Sequence, residues 1–186
     1  MAAEDEIGRY DWHAYETYQG RADELLDQLR ELIKAEHADD AERLRERIER
    51  AVVPDGAPCA ACLPVTAVLV AALPEMPPTA RVEALDLLAV IGPADPWGPP
   101  AEQVGLLDVD ELRRVVARGF DTYRFGLRAP ISDDELLACI DLVSMAAEAD
   151  PALVPAAIEA LEQIPLDGRS RAFAELIENT VRDLRG

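Results

Sequence analysis

The 186-residue chain sets 37 carboxylates against 18 basic side chains, for a net charge of −19 at pH 7, and is 49% apolar but only 5% aromatic. That apolar share excludes wholesale disorder, and the length fits one domain of roughly 100–200 residues. A field this negative repels phosphate backbones and anionic headgroups, so nucleic acid and membrane surfaces are excluded as generic partners, while a basic protein is permitted.

The apolar residues are mostly Ala and Leu, which lose little side-chain freedom in a helix. Every basic residue but Lys34 is Arg, which reads as the base-composition bias of a GC-rich genome and not as a binding signal. The opening Met-Ala-Ala-Glu-Asp-Glu is acidic and holds no apolar run, unlike a secretory leader. The longest near-apolar run, Leu63 to Leu73, has 11 residues, against the ~20 that a membrane span needs. Three cysteines are an odd number and give no disulfide framework. The expected location is the cytoplasm.

In chain order, Leu25, Leu26, Leu29, Leu32 and Ile33 share one face of a helix expected over residues 21–36. Ala41, Leu44, Ile48, Ala51 and Val52 mark a second, whose outer face offers Asp39–Arg43 and Glu46–Arg50 as i,i+4 pairs. The segment Leu63–Leu73 is apolar all round, as befits a helix buried on most sides, and Pro64 fits its first turn. After a connector at Pro74–Pro78, Thr79 is the expected N-cap of a helix carrying Val82, Leu85, Leu88 and Ile91, which Gly92-Pro93 ends. Pro and Gly make residues 92–104 a loop, Asp108 opens a helix to about Arg118, and Gly119 kinks or ends it. Ser132-Asp133-Asp134-Glu135 is a capping box with acids at the positive end of the helix dipole. Leu136, Leu137, Ile140, Val143 and Ala147 follow on that helix, Asp150-Pro151 opens the next, and a last one spans about 169–185. No strand pattern emerges.

Short helices with short connectors imply antiparallel neighbours in a single all-α domain of about 8–9 helices. Its halves, 1–92 and 105–186, are joined by the loop. Tyr10-Asp11-Trp12 through Tyr18-Gln19-Gly20, then Asp23, Leu25-Leu26 and Leu29-Arg30, resemble the start of HEAT-like repeat proteins of high-GC bacteria. Leu63–Val70 followed by Arg81–Leu88 looks like one HEAT-type helix pair. The resemblance implies a short α-solenoid, mostly without assigned activity in that family. Where such proteins often carry polar His and Gln before the buried helix, Val53–Cys59 stands here instead.

Candidate chemistry is sparse. Cys59 and Cys62 form a Cys-x-x-Cys, but Cys139, His13 and His37 are scattered without metal-ligand spacing, so small core residues entering a buried helix are the expectation. Asp133-Asp134-Glu135 is explained by helix capping. No metal and no cofactor is expected. His13, near Trp12, Tyr15 and Tyr18, either lines an aromatic pocket or sits exposed on a terminal helix. Residues 108–128 are the one non-acidic island, with five arginines against four carboxylates. There Arg113, Arg114, Arg118, Arg124 and Arg128 interleave with Phe120, Tyr123 and Phe125, types enriched at interface hot spots. Arg114 can instead pair with Asp110, and the two Phe can be core. Trp97 either plugs a gap between the halves or projects as an anchor. The expected function is a non-enzymatic protein-binding module, in its specific form an acidic immunity- or inhibitor-type protein for a basic partner. The alternative is an enzyme or small-ligand accessory protein with a pocket near His13.

Overall fold

A computed structural model describes residues 2–95, 104–165 and 171–186. The apolar stripes become ten α-helices among these residues: α1 (Ala2–Ile7), α2 (Leu25–Ile33), α3 (Ala38–Val52), α4 (Cys62–Ala72), α5 (Pro78–Ile91), α6 (Val109–Ala117), α7 (Phe120–Arg128), α8 (Asp133–Ala149), α9 (Val154–Glu162) and α10 (Arg171–Arg185). The protein is all-α.

Each helix is placed by the width of its apolar face. On α3 the buried residues are Ala41, Leu44, Ile48, Ala51 and Val52, one stripe at helical spacing, and Glu42, Arg43, Glu46, Arg47 and Arg50 face outward. Helix α4 has no polar face because it packs against α1, α2, α5 and α6 at once. Helix α8 touches α5, α6, α7, α9 and α10, and buries Leu136, Ala138, Cys139, Ile140, Leu142, Val143, Ala146 and Ala147 to do so. Side-by-side packing joins α1, α4 and α6 in one row and α3, α5 and α8 in another, with α4 against α5 between them. One contiguous buried cluster runs from Ile7 to Val181.

Several local expectations are corrected. Two strands do occur, β1 (Glu16–Thr17) and β2 (Gly20–Arg21), paired antiparallel; at two residues each they are too short to show any period. Thr17 Oγ1 closes the turn by donating to Gly20 O at 3.1 Å, and Gly20 sits at φ 131°, where a side chain is strained. The helix expected from residue 21 starts as a 3₁₀ turn, and α2 proper begins at Leu25. Helix α5 starts at Pro78 with Pro77 as N-cap, while Thr79 Oγ1 donates to Ala35 O at 3.1 Å and so ties α5 to the end of α2. Arg43 pairs with Asp40 at 2.7 Å and not with Asp39, because the i,i+3 carboxylate is equally a neighbour on a helix. The pair Arg50–Glu46 is present at 3.7 Å. Gly119 ends α6 and caps α7. A Cβ there would lie 2.2 Å from the Tyr123 hydroxyl.

The capping box at α8 forms and does more than cap. Ser132 Oγ accepts from Glu135 N at 3.1 Å, and Glu135 Oε2 accepts from Ile131 N at 2.6 Å. Its other oxygen accepts from Arg81 Nε of α5 at 3.0 Å, with the Glu135 side chain only 1% exposed. One carboxylate therefore satisfies the start of α8 and binds α8 to α5. Glu135→Ala removes both roles and is expected to lower unfolding free energy by about 3 kcal/mol, against about 1 kcal/mol for Ser132→Ala, measured by urea denaturation. Tyr123 is fully buried with no hydrogen-bond partner for its hydroxyl among the described residues, so Tyr123→Phe should leave stability unchanged or raise it.

Candidate functional site

The row α3–α5–α8 carries its polar faces on one side, and between them lies a groove of about 310 Å³. Glu42 and Arg45 come from α3, Val82, Glu83, Asp86 and Ala89 from α5, and Asp134, Leu137, Ala138 and Asp141 from α8. On α8 the spacing 134, 137, 141 is i, i+3, i+7, a single strip opposite the buried face.

Five carboxylates thus surround one guanidinium, and that guanidinium is already engaged. Arg45 Nε donates to Glu83 Oε2 at 2.9 Å and lies 3.5 Å from Asp86 Oδ2, and Arg45 also pairs with Glu49 along α3. Its side chain is only 16% exposed, so Arg45 braces α3 to α5 and offers little charge outward. Burial pushes the Glu83 carboxyl above its ordinary value, with the Arg45 guanidinium pulling the other way. Glu42, Asp134 and Asp141 have no cationic partner among the described residues. Desolvation raises the Asp141 carboxyl although the residue reaches the surface. Among these acids stands Leu137, a large apolar side chain left 40% exposed. An apolar centre ringed by uncompensated carboxylates suits the stem and head of an Arg or Lys side chain.

The residues singled out from sequence fall elsewhere. Trp12 is buried and its Nε1 donates to Ile7 O at 3.0 Å. Tyr10 stands edge-on to Trp12 at 6.5 Å and to Tyr15 at 6.3 Å, so these rings pack against one another. His13 is exposed, with Nδ1 3.5 Å from Asp23 Oδ2.

The arginine island is largely neutralised locally. Arg113 pairs with Asp95 at 3.2 Å. Arg118 pairs with Glu111 at 3.1 Å, and Arg114 also pairs with Glu111, in place of the expected Asp110. Arg124 pairs with Asp121 at 3.1 Å and lies over the Phe120 ring at 5.9 Å. Tyr123, expected on a contact surface, is instead fully buried core. The two Phe divide, Phe120 buried and Phe125 69% exposed. Phe125 lies beside a second cleft, of about 330 Å³, whose walls include Leu73, Leu85, Arg81 and Glu135. Trp97 lies outside the described residues.

Sequence reasoning missed the groove because its members are single acids on three separate helices. Only the neighbour relations of α3, α5 and α8 bring them together. The one local signal was Leu137, apolar at a position flanked at helical spacing by Asp134 and Asp141.

Fold and groove together define an all-α protein built of helix rows with an acidic, apolar-centred groove among its described residues. No protein-family model, curated protein or solved structure matches the chain. No helix among the described residues is long and apolar enough to cross a membrane.

The raised Asp141 value has a pH signature. With the folded value above the unfolded one, the group's contribution is complete below its ordinary value of 3.8 and is lost as pH rises through the folded value. Asp141 therefore opposes folding at neutral pH. Asp141→Asn is expected to melt higher than the parent at pH 7, with the difference closing below about pH 4; thermal scans across that range check it.

Proposed function

We propose that the protein is a non-enzymatic binding module whose α3–α5–α8 groove receives basic side chains of another protein. The observation that carries this is the trio Glu42, Asp134 and Asp141, which have no cationic partner among the described residues and stand around the exposed Leu137. Carboxylates at a rim favour encounter with a cationic surface, and the apolar centre gives the contact something to bury. The net charge of −19 adds long-range attraction of the same sign over the whole molecule. Stacked helix rows are in keeping with a HEAT-like α-solenoid, an architecture that presents extended binding faces. The specific form we favour is an inhibitor- or immunity-type protein that covers a cationic surface of its target, in the cytoplasm of a bacterium.

The test compares two triple variants of equal charge change. Glu42→Gln/Asp134→Asn/Asp141→Asn empties the groove of its free acids, whereas Glu16→Gln/Asp55→Asn/Glu148→Gln removes three exposed acids elsewhere. A six-arginine peptide is titrated into each and followed by amide NMR shifts. Three exposed ion pairs at about 0.5 kcal/mol each predict roughly tenfold weaker binding for the groove variant. The shifts of the parent protein should centre on α3, α5 and α8 and fade with added salt. Equal weakening by both variants would show that only overall charge acts, and the groove would be discarded.

A further inference from the structure

The acidic groove does not use the two thiols at the far end of α3, and their surroundings are too organised for filler. Helix α3 ends at Val52, and the chain returns through the connector 53–61 so that Cys59 N donates to Val52 O at 2.9 Å. Cys62 N then donates to Cys59 O at 3.0 Å. That bond closes a four-residue turn, which holds its end Cα atoms within about 7 Å and so overlaps the ~4.4–6.8 Å window of disulfides. The Cys62 thiol donates to Val52 O at 3.2 Å, and the Cys59 sulfur lies 4.0 Å from Ala51 O. The Ala51 carbonyl also accepts from Tyr18 N at 2.9 Å, which seats the turn of the β1–β2 hairpin on the same helix end. From the other side, Val104 O accepts from Ala60 N at 3.0 Å.

From this geometry we infer that Cys59 and Cys62 are a redox pair, converted to an intramolecular disulfide by exchange with a low-molecular-weight disulfide. The Cys59 thiolate attacks one sulfur of the oxidant, breaking its S–S bond and releasing one thiolate. The Cys62 thiol gives its proton to solvent and attacks the Cys59 sulfur of the mixed disulfide, expelling the second thiolate. The protein loses two hydrogens and the oxidant leaves as two thiols. The order of attack follows from the environment. When Cys59 ionises, the Cys62 S–H turns from Val52 O to the thiolate, and that hydrogen bond, helped by backbone N–H groups of Ala61 and Cys62, draws the Cys59 thiol below its ordinary value. The same bond and burial push Cys62 well above. An attacking thiol with the lower value and a resolving thiol beside it is the chemical logic of such pairs.

Both cysteines are fully buried, so exchange passes through opening of the connector. That segment holds Asp55 at φ 52° and Gly56 at φ 77°; the first is a sparsely populated conformation for a residue with a side chain. Oxidation removes both S–H donors from the end of α3, and with them the hydrogen bond to the Val52 carbonyl. Cys139, buried on α8 with its thiol pushed up to about 12 by burial, is an internal control that lacks a partner thiol.

The experiment incubates the native full chain with oxidised glutathione, alkylates the remaining thiols and maps the products by mass spectrometry. The expected product has lost two of its three thiols, joined as Cys59–Cys62, with Cys139 free. Cys62→Ser should hold one glutathione on Cys59, and Cys59→Ser should react at least tenfold more slowly at Cys62. Cys139→Ser should behave as the parent. A native protein that keeps all three thiols, while the same chain in guanidinium forms the bond, would overturn the inference. So would a disulfide through Cys139, or preferential trapping on Cys62. The outcome is independent of the groove, whose carboxylates take no part in it.

Discussion

The Glu135 carboxylate is the contact on which the rest of the arrangement turns. It is almost without exposure, it closes the first turn of α8, and it holds Arg81 of α5. A buried carboxylate is tolerated only when its oxygens are satisfied, and here a backbone N–H takes one and a guanidinium the other. Because α8 is the helix that α5, α6, α7, α9 and α10 all touch, fixing its N-terminus against α5 fixes the frame for both halves of the chain. The groove inherits its geometry from this bond, since Asp134 and Leu137 stand within one turn of Glu135 and Glu83 within one turn of Arg81.

Charge is then handled in two different ways. Across the arginine island Arg113, Arg114, Arg118 and Arg124 each find a carboxylate close by, mostly on the same helix. Such exposed pairs contribute little to stability, but they offset much of the positive charge of that segment. In the α3–α5–α8 groove Arg45 is spent on bracing, and Glu42, Asp134 and Asp141 have no cationic partner among the described residues. The surplus of negative charge is therefore directed as well as large. Desolvation of the Asp141 carboxyl opposes folding slightly at neutral pH, as its raised value records.

Much of the fold was legible in the sequence because helices announce themselves through apolar spacing. The stripe of α3, the all-round apolar α4, the Ser132 capping box and the Asp108 cap of α6 all came from local patterns that tertiary packing left intact. Thr79 misled because its hydroxyl found a carbonyl across the molecule, at Ala35, in place of its own helix end. Tyr123 and Arg124 are adjacent in sequence yet one is sealed and the other is exposed enough to pair with Asp121; composition alone joined what the helix separates. The groove was illegible for a deeper reason. Glu42, Glu83 and Asp134 each look like ordinary solvated acids, and only the packing of three helices gives them a common address.

Helix α3 carries both proposals, and its length keeps them apart. Glu42 lies in its first half and Arg45 at its middle, whereas the thiols and the hairpin turn attach to the carbonyls of Ala51 and Val52. Seven residues from Arg45 to Val52 span about 10 Å of helix. Loss of a sulfur donor at a helix end acts on the last turn, where dipole and capping effects are confined. The Arg45 bridge to Glu83 and Asp86 anchors the middle of α3 independently of that end. A change of thiol state is thus felt first by the hairpin at Tyr18, whose backbone shares the Ala51 carbonyl, and the groove keeps its geometry while the hairpin responds.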